Sequence, residues 1–354
     1  NDSTDNCYHV VISSGAIGVA ELNGFTVTKG LSNEYTAIIV NDNYISNDIG
    51  GGMYNAASNP FIVNCKFSQN TAKNGGGMFN INSTPIVSKS TFSENFSEYS
   101  GGGMFNSSSS PIITNSTFSG NKAHSGGGVY IIFSSPTITN CIFSGNSATE
   151  IAGGMYINSS SPMITNCFFS GNSATEMAGG MYNHTSSPTI TNSNFSGNSA
   201  YYGGGMSNYY SSPTITISAF SGNTASYGGG MFNNYNSSPT VSNSIFYGNS
   251  SGIFNQESTC DITYSIIQGG HIGIGNLDTD PLFINAPSYT TAPFTGGDYR
   301  LEACSPAINA GNNGAIPLGV STDIAGNPRT YATTVDMGAY EYQSPQQFIC
   351  ITVE

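Results

Sequence analysis

The chain has 354 residues, of which only 8% are charged, and 20 Asp and Glu against 7 Lys and Arg give a formal net charge of −13. Nucleic-acid binding needs clustered Lys and Arg, so we expect no nucleic-acid partner. No apolar run reaches the ~20 residues of a membrane-spanning helix. Low charge accompanies disorder in many chains, but 38% hydrophobic residues with 20 Phe and 21 Tyr can support a core.

The chain does not begin with Met and shows no signal peptide, which favours a processed protein or a fragment of a longer one. Its seven Cys follow no zinc spacing and include no CxxC pair, so we expect no metal and no cofactor. The odd number of Cys leaves at least one without a partner in the chain. The Cys residues do not fix a compartment. The Ser-, Thr- and Asn-rich, Lys-poor composition favours an extracellular or cell-surface location.

Residues 1–40 read as one or more N-terminal rungs that precede a regular array at 41–256. Three markers recur in this array every 25 or 26 residues and stay in phase through eight copies. The apolar residue of "GG(M/V)" stands at Met53, Met78, Met104, Val129, Met155, Met181, Met206 and Met231. A proline stands at Pro60, Pro85, Pro111, Pro136, Pro162, Pro188, Pro213 and Pro239. The Phe of "FxxN" stands at Phe67, Phe92, Phe118, Phe143, Phe169, Phe195, Phe220 and Phe246.

Each repeat contains period-two stretches typical of strands and no helical apolar pattern. An Ile or Val follows every marker proline by two residues, as Ile138 follows Pro136. A column of Asn comes next, whose stacked side chains are expected to form amide hydrogen bonds at a bend, and a column of only Cys or Ser then precedes the invariant Phe. No single unit can bury its apolar side, so the units must stack, and equivalent residues then lie ~4.8 Å apart in ladders. The sequence therefore predicts an all-β, right-handed parallel β-helix of about ten rungs, with Ile138, Phe143 and Met155 facing inward.

Between "FxxN" and "GG", one repeat has "SATEIA" (147–152) where another has the shorter "KAHS" (122–125). This difference in length predicts a loop that projects at this corner. Residues 257–343 are predicted to form degenerate rungs and an irregular C-terminal cap, and 344–354 a separate tail strand. The segment 257–343 holds acidic and basic residues that suit a cap pinned by buried ion pairs, although a hidden catalytic site is the alternative. These residues are Asp278, Asp280, Asp298, Asp323, Asp336, Glu341, Arg300 and Arg329.

The paired "FSGN" and "GGGM" motifs resemble the FxxN and GGA-aliphatic repeats of the polymorphic outer-membrane protein family. Gly and Met usually stand where that family has Ala and an aliphatic residue, and no transporter barrel follows in these 354 residues. The segment "DTDPLFIN…GDYRLEACSPAINAGN…TDIAGNPRTYATTVDMGAYEYQ" is similar to the closing segment of secreted bacterial β-helix proteins of the choice-of-anchor type. "LNGFTVTKG" (22–30) resembles the rung that opens such arrays. The resemblance implies a pectate-lyase-like β-helix that is secreted or surface-displayed and adhesin-like. It does not by itself imply an enzyme.

Polysaccharide lyases and hydrolases on β-helices need a cluster of carboxylates, and lyases also need a basic residue. Between Ile49 and Cys260 the chain has no Asp and no Arg. Glu150 and Glu176 would stack one rung apart, as a weak cation site or as two solvated carboxylates. We therefore expect a non-enzymatic scaffold, with a glycan-binding or glycan-cleaving β-helix as the alternative.

An aromatic residue follows the marker Met or Val in most repeats. One repeat has Ser207 in this position, which suggests that the column faces outward and forms an exposed stripe. The stripe is a candidate surface for a glycan or a host or cell-surface protein, or it only stabilises the sheet. Its members are Tyr54, Phe79, Phe105, Tyr130, Tyr156, Tyr182 and Phe232.

Two further partner hypotheses come from the sequence. Thr-Ile-Thr at 137–139, 189–191 and 214–216 resembles an ice-binding array, but the first Thr column is interrupted elsewhere, which leaves ice binding a distant third. The apolar tail "FICITV" suggests that β-helices join end to end through the neighbouring subunit's first rung and form a filament. The alternatives are a tail that folds back on its own subunit or an artefact of where the fragment was cut. The residues assigned to this self-association are Cys7, Phe348, Ile349, Cys350 and Ile351.

Overall fold

The computed structural model describes residues 7–344 and shows a right-handed parallel β-helix, as the repeat predicts. Eight regular repeats lie between one further turn at each end, so that three of the sheets contain ten strands each. Within residues 7–344 there is no α-helix, and two short 3-10 turns occur at Tyr289–Thr291 and Asn313–Ala315.

Three parallel sheets run the length of the β-helix. Sheet A contains the strands Val11–Ser14, Met53–Ala56, Met78–Ile81, Met104–Ser107, Val129–Ile132, Met155–Asn158, Met181–His184, Met206–Tyr209, Met231–Asn234 and Ile253–Asn255. Sheet B contains Glu21–Asn23, Phe61–Val63, Ile86–Ser88, Ile112–Thr114, Thr137–Thr139, Met163–Thr165, Thr189–Thr191, Thr214–Thr216, Thr240–Ser242 and Asp261–Thr263. Sheet C contains Thr26–Thr28, Lys66–Ser68, Thr91–Ser93, Thr117–Ser119, Ile142–Ser144, Phe168–Ser170, Asn194–Ser196, Ala219–Ser221, Ile245–Tyr247 and Ile266–Ile267.

A fourth parallel sheet corrects one prediction. The residues between "FxxN" and "GG" form strands in five turns and not a projecting loop, and Leu31–Ser32 of the first turn adds a sixth strand. Irregular register at Ala123/Ser125 absorbs the extra length of the next turn. Because sheet D hydrogen-bonds from turn to turn like the other three sheets, the variable corner stays attached to the solenoid. Sheet D contains Leu31–Ser32, Thr71–Asn74, Phe96–Ser100, Lys122–Ser125, Ser147–Ile151 and Ser173–Ala174.

Two antiparallel pairs lie outside the four sheets. The hairpin Ala37–Val40 with Asn43–Ser46 is inserted between the first and second turns. Its Ile45 is fully buried against the aromatic residues of sheet A. Near the C-terminus Phe283–Asn285 pairs with Asp298–Leu301.

The inside of the solenoid is filled by columns of identical or similar side chains. Ile138, Phe143 and Met155 are fully buried, as predicted. The marker Phe rings stack from turn to turn, with centroids 4.3–5.0 Å apart along the whole column. One continuous apolar core therefore links all the turns.

The Asn of "FxxN" forms a second internal column, here called the Asn ladder. Each Asn side chain except that of the last member, Asn249, donates from Nδ2 to Oδ1 of the Asn one turn further on, as Asn121 does to Asn146 at 3.0 Å. The same Oδ1 accepts the backbone N–H of Asn121 at 3.0 Å. The ladder thus pairs buried amide groups that would otherwise be costly inside the core. Its members are Asn70, Asn95, Asn121, Asn146, Asn172, Asn198, Asn223 and Asn249.

The second Asn column, predicted from the sequence to lie at a bend, marks the corner between sheets B and C. Asn140 and Asn166 have φ angles of 54° there, in the left-handed region that Asn tolerates better than most residues. Asn166 Nδ2 donates to Asn140 Oδ1 at 3.0 Å, which confirms the predicted side-chain hydrogen bonds at the bend. Lys89 occupies the same corner with a φ of 50°.

The glycine triplets are required by the turn into sheet A. Gly126 has a φ of +65°, and a Cβ on Gly128 would lie 2.4 Å from the carbonyl oxygen of Gly154 on the next turn. Only glycine allows the two backbones to approach this closely. The "GG" marker therefore indicates the positions where the backbones of adjacent turns are in contact.

The C-terminal region departs from a simple cap. Only a short stretch continues the stack, where Leu277 N donates to Ser265 O at 2.9 Å. Residues 281–344, here called the C-terminal segment, fold back along the outer faces of sheets B and C. Phe294 N donates to Gly197 O at 3.0 Å, and Asn312 N donates to Asn243 Oδ1 at 2.7 Å. The segment therefore covers the side of several turns.

Candidate functional site

The aromatic column of sheet A points outward, opposite to the buried Met column. Its rings stack along the sheet, with Phe105 and Tyr130 centroids 4.9 Å apart and Tyr130 and Tyr156 centroids 4.6 Å apart. Neighbouring rings therefore stabilise one another along the sheet, which is the role that the sequence analysis gave as the alternative to binding.

The prediction that this column forms an exposed stripe is wrong for four of its seven members. Tyr54, Phe79, Tyr182 and Phe232 are buried. The inserted hairpin covers the first two, through Ile45, and residues of the corner that leads into sheet A cover the others. Phe105, Tyr130 and Tyr156 are half-buried. An outward direction does not give exposure here, because adjacent corners fold over the sheet.

A different group of six aromatic residues, here called the tyrosine face, has four exposed members and two half-buried ones. Two clusters flank sheet A at the strands Met206–Tyr209 and Met231–Asn234. Tyr201 and Tyr210 are 47% and 51% exposed. These clusters occupy two consecutive turns, so the face is local. Its members are Tyr201, Tyr202 and Tyr227 on one side and Tyr209, Tyr210 and Tyr235 on the other.

The rings of the tyrosine face hold each other in place. Tyr202 and Tyr227 stack with centroids 5.4 Å apart, and Tyr202 also packs against Phe232 at 5.0 Å. On the other side, Tyr209 and Tyr235 lie 4.4 Å apart and Tyr210 and Tyr235 lie 5.2 Å apart. The result is a set of pre-ordered flat rings that carry hydroxyl groups.

The tyrosine face contains no charged residue of its own, and the exposed Glu176 and Glu257 lie on the adjacent turns. Burial, followed by the interaction with Tyr235, raises the pKa of Tyr209, so its hydroxyl stays protonated at neutral pH. Burial also lowers the pKa of the neighbouring His184, which keeps this imidazole uncharged. No Lys or Arg occurs in the sequence between Lys122 and Arg300. The face can therefore stack and hydrogen-bond but offers no positive charge to an anion.

The two glutamates singled out in the sequence do lie one turn apart. The backbone N–H of Glu176 donates to Glu150 O at 2.9 Å. The Glu150 carboxylate pairs with the ring of His124, and both side chains are solvent-accessible. Within residues 7–344, no group of three or more His, Cys, Asp or Glu is arranged to hold a metal ion.

Four charged residues of the C-terminal segment, Asp323, Arg329, Asp336 and Glu341, gather in one buried group, whereas Asp298 and Arg300 pair outside it. Arg329 is 2% exposed, and its Nη2 lies 3.3 Å from Glu341 Oε2. The same Nη2 donates to the carbonyl oxygens of Asp336 and Gly338. Burial, followed by the nearby Asp336, raises the pKa of Glu341 to about 7.

The carboxylates of this group are occupied by backbone donors. Both oxygens of Asp323 accept hydrogen bonds, among them from the backbone N–H groups of Asn327 at 2.7 Å and Glu341 at 3.0 Å. Asp336 accepts from the backbone N–H groups of Asn309 and Tyr342, both at 2.6 Å. These contacts hold irregular backbone together.

The threonine array is interrupted by the C-terminal segment. Thr137 and Thr189 are exposed on the outer face of sheet B, but Thr191 and Thr216 are buried. The neighbouring Asn192 donates from Nδ2 to Thr322 O at 3.1 Å, so the segment lies against this corner. A flat, open Thr array for ice is therefore absent from these turns.

Of the residues assigned to self-association, only Cys7 lies among those described; Phe348, Ile349, Cys350 and Ile351 lie outside them. Cys7 is an exposed free thiol, and Cys304 is disulfide-bonded. A cavity of ≈ 280 Å³ lies at the first turn, lined in part by Val11, Ile12 and Leu22.

Sequence reasoning missed the tyrosine face, although a signal was present. "YYGGGM" and "NYYSSP" place Tyr201, Tyr202, Tyr209 and Tyr210 around one strand, and "SYGGGM" with "NNYNSSP" repeats part of this pattern one turn later. These tyrosines stand at corners or, in the case of Tyr209, at the end of a strand, and not in the aromatic column itself. A search restricted to one column could not find them.

Comparison with known proteins agrees with this architecture. Residues 6–169, just under half of the chain, match a family model described as "Right handed beta helix region". No curated protein matches the chain. The chain is a β-helix repeat protein, and within residues 7–344 no helix is long and apolar enough to cross a membrane.

Proposed function

We propose that this β-helix is a non-enzymatic, adhesin-like scaffold that acts outside the cell or at its surface and binds a neutral glycan through the tyrosine face. The tyrosine face carries the proposal. Six tyrosines, four of them exposed, gather in two consecutive turns, and clustered exposed aromatic surface of this kind marks binding sites. Ring faces stack on sugar rings while the hydroxyls hydrogen-bond to sugar hydroxyls.

The charge of the chain supports a neutral rather than an acidic glycan. The net charge is −13, and no Lys or Arg between Lys122 and Arg300 offsets it in this part of the sequence. Carboxylated or sulfated sugars would therefore be repelled. A proteinaceous partner is the competing occupant, since Tyr is enriched in protein interfaces.

A glycan array with matched variants tests this proposal. The double variant Tyr210→Ala, Tyr235→Ala should lose binding to the neutral glycans that the wild type retains. The control is Ile112→Ala, Met163→Ala, which removes exposed apolar side chains from the outer face of sheet B. The proposal would be contradicted if the wild type binds no glycan, or if the tyrosine variant binds glycans as well as the wild type does.

The non-enzymatic part of the proposal is supported by the hydrogen bonds of the C-terminal carboxylates. Asp323 and Asp336 each accept backbone N–H groups on both oxygens, which leaves them poorly placed for proton transfer to a substrate. An assay of neutral and acidic polysaccharides for released reducing ends tests it. Cleavage that is lost in Asp323→Asn would overturn it.

End-to-end association is a second candidate function, favoured by the partly apolar cavity at the first turn. The occupant we propose is the "FICITV" tail of a second copy of the chain. Deletion of residues 345–354 should then reduce the particle mass measured by light scattering. A full-length protein that is monomeric at high concentration would exclude this association.

A further inference from the structure

A cavity of ≈ 350 Å³ lies where the C-terminal segment meets the ends of two strands of sheet C. Ser221 ends one of these strands, and Tyr247 ends its neighbour on the next turn. Ligand pockets have volumes of about 300–1,000 Å³, so the cavity can hold a small molecule. The lining residues that decide its chemistry are Tyr247, Asp280, Leu282, Phe283, Tyr289 and Glu302.

Two acidic residues are held at this cavity by the backbone of Leu282. Leu282 N donates to Asp280 Oδ1 at 2.9 Å, and the backbone N–H of Glu302 donates to Leu282 O at 2.9 Å. Both acidic residues are exposed, so a molecule in the cavity can reach their side chains. Among the described residues, Asp280 Oδ2 and the Glu302 carboxylate have no hydrogen-bond partner. These oxygens are therefore available to a ligand.

No basic side chain neutralises the two carboxylates. Within residues 7–344, neither of them pairs with a Lys, Arg or His. The nearby Arg300 pairs with Asp298 instead and lines a different cavity. Unpaired carboxylates in a cavity of a protein with a net charge of −13 attract a positively charged ligand and repel an anion.

Aromatic rings line the same cavity. The half-buried Tyr247 lies close to the acidic residues, because burial and then the Asp280 and Asp278 carboxylates raise its pKa. Phe283 is also half-buried, and Tyr289 is 38% exposed. The faces of such rings attract an ammonium group and also pack against an alkyl chain. The combination of rings and carboxylates favours an organic cation over a metal ion.

We infer that this cavity binds a small organic amine in its ammonium form, such as an alkyl diamine. The ammonium group donates hydrogen bonds to the carboxylates of Asp280 and Glu302, and the alkyl chain packs against the rings of Tyr247 and Tyr289. A primary ammonium fits better than a quaternary one, because it has N–H groups for the carboxylates. The cavity shares no residue with the tyrosine face, and the inference is independent of the function proposed for that face.

Titration calorimetry with three five-carbon ligands tests the inference. Cadaverine carries an ammonium group at each end, pentanediol is its neutral counterpart and glutarate its anionic counterpart. The titrations use low ionic strength, since salt screens exposed charges. Cadaverine should bind, and the diol and glutarate should bind at least about tenfold more weakly. Tetramethylammonium, which has no N–H group, should also bind more weakly than cadaverine.

A charge-removing variant tests the role of the carboxylates. Asp280→Asn, Glu302→Gln should weaken cadaverine binding by at least about tenfold, because it removes both charges and keeps the side-chain shapes. Both residues are exposed, so the melting temperature should stay unchanged. The matched control Glu176→Gln, Glu257→Gln removes two exposed charges outside the cavity and should change the affinity by less than about twofold.

Tyr289→Leu tests the aromatic contribution, since it keeps apolar surface but removes the ring face. This variant should weaken cadaverine binding by about two- to fivefold. The tyrosine-face variant Tyr210→Ala, Tyr235→Ala should bind cadaverine unchanged. The inference is wrong if cadaverine does not bind, if the diol or tetramethylammonium binds as tightly, or if the Asp280, Glu302 variant binds cadaverine as well as its control does.

Discussion

Asn121 donates two hydrogen bonds to one atom, Oδ1 of Asn146, from its backbone N–H at 3.0 Å and from its side-chain Nδ2 at 3.0 Å. Asn146 in turn donates from Nδ2 to Phe118 O, on the same turn as Asn121, at 2.9 Å and to Asn172 Oδ1 on the following turn at 3.0 Å. One side chain therefore joins three turns of the solenoid inside the core.

Asn146→Ala should be strongly destabilising, because it leaves the Asn121 N–H and amide buried without an acceptor. We expect a loss of about 2–5 kcal/mol in the free energy of unfolding, since each unsatisfied buried group costs about 1–3 kcal/mol. Urea denaturation followed by far-UV circular dichroism measures it. The control Asn140→Gly removes an amide from the exposed bend but tolerates its positive φ. Equal losses in the two variants would show that the Asn ladder has no special role.

Lys89→Asn should stabilise the protein. Lys89 is exposed with a φ of 50°, in a column whose other members are mostly Asn. The left-handed conformation costs an ordinary L-residue about 1–2 kcal/mol, and Asn reduces this cost. Asn at this position can also pair with the Asn115 amide on the next turn. We expect a higher melting temperature, and a lower one would refute this account of the corner.

Ile138→Asp should prevent stable folding, because it places an unpaired charge among fully buried side chains. Thr137→Asp is the matched control, since Thr137 is the adjacent exposed residue of the same strand. The control should change the free energy of unfolding by less than about 0.5 kcal/mol. Comparison of soluble yield and circular dichroism tests the pair, and similar behaviour of the two variants would contradict the inward assignment.

Arg329→Met should release the C-terminal segment from the solenoid. Removing one partner of a buried ion pair costs about 3–5 kcal/mol because the remaining charge stays uncompensated. We expect rapid proteolysis within 281–344 while the β-sheet spectrum persists. Arg300→Met breaks an exposed pair with Asp298, in which the Arg300 side chain is 61% exposed, and should have little effect. Loss of the whole spectrum in Arg329→Met would show that the solenoid depends on the segment.

The buried Glu341 predicts a dependence on pH. Burial raises its pKa to about 7 from an ordinary value of 4.5, so the folded protein binds more protons than the unfolded chain between these values. This contribution to stability is present at low pH and is lost as the pH rises toward 7. The melting temperature at pH 5.5 minus that at pH 8 measures this contribution. This difference should be larger in the wild type than in Glu341→Gln. The exposed Glu302→Gln is the control, and identical pH profiles of wild type and Glu341→Gln would contradict the prediction.

The repeat made the solenoid predictable because each column position recurs in register. Ile138, Phe143 and Met155 could be placed inside from a single turn, since every other turn repeats the same environment. The corner conformation at Asn140 was equally accessible, because Asn is favoured where φ is positive.

The remaining features arise from contacts that do not repeat. The burial of Tyr54 depends on a hairpin that occurs once, and the burial of Thr191 depends on a segment more than one hundred residues away in the chain. A cavity lined in part by Asn194 forms where the C-terminal segment meets sheet C. An Asn at an outward strand position has no distinctive sequence signal, because it normally faces water.

Because the interfaces between turns are interchangeable, the length of the molecule can change in steps of one turn. Gly128, Phe143 and Asn146 each meet a residue of the same kind one turn later. Duplication or loss of one 26-residue unit would therefore recreate contacts that already exist, and it would change the length of the rod by about 4.8 Å. Recombination between the nearly identical segments 143–167 and 169–193 offers a route to such changes. The rod can thus serve as a spacer whose reach is adjusted without redesign of its core.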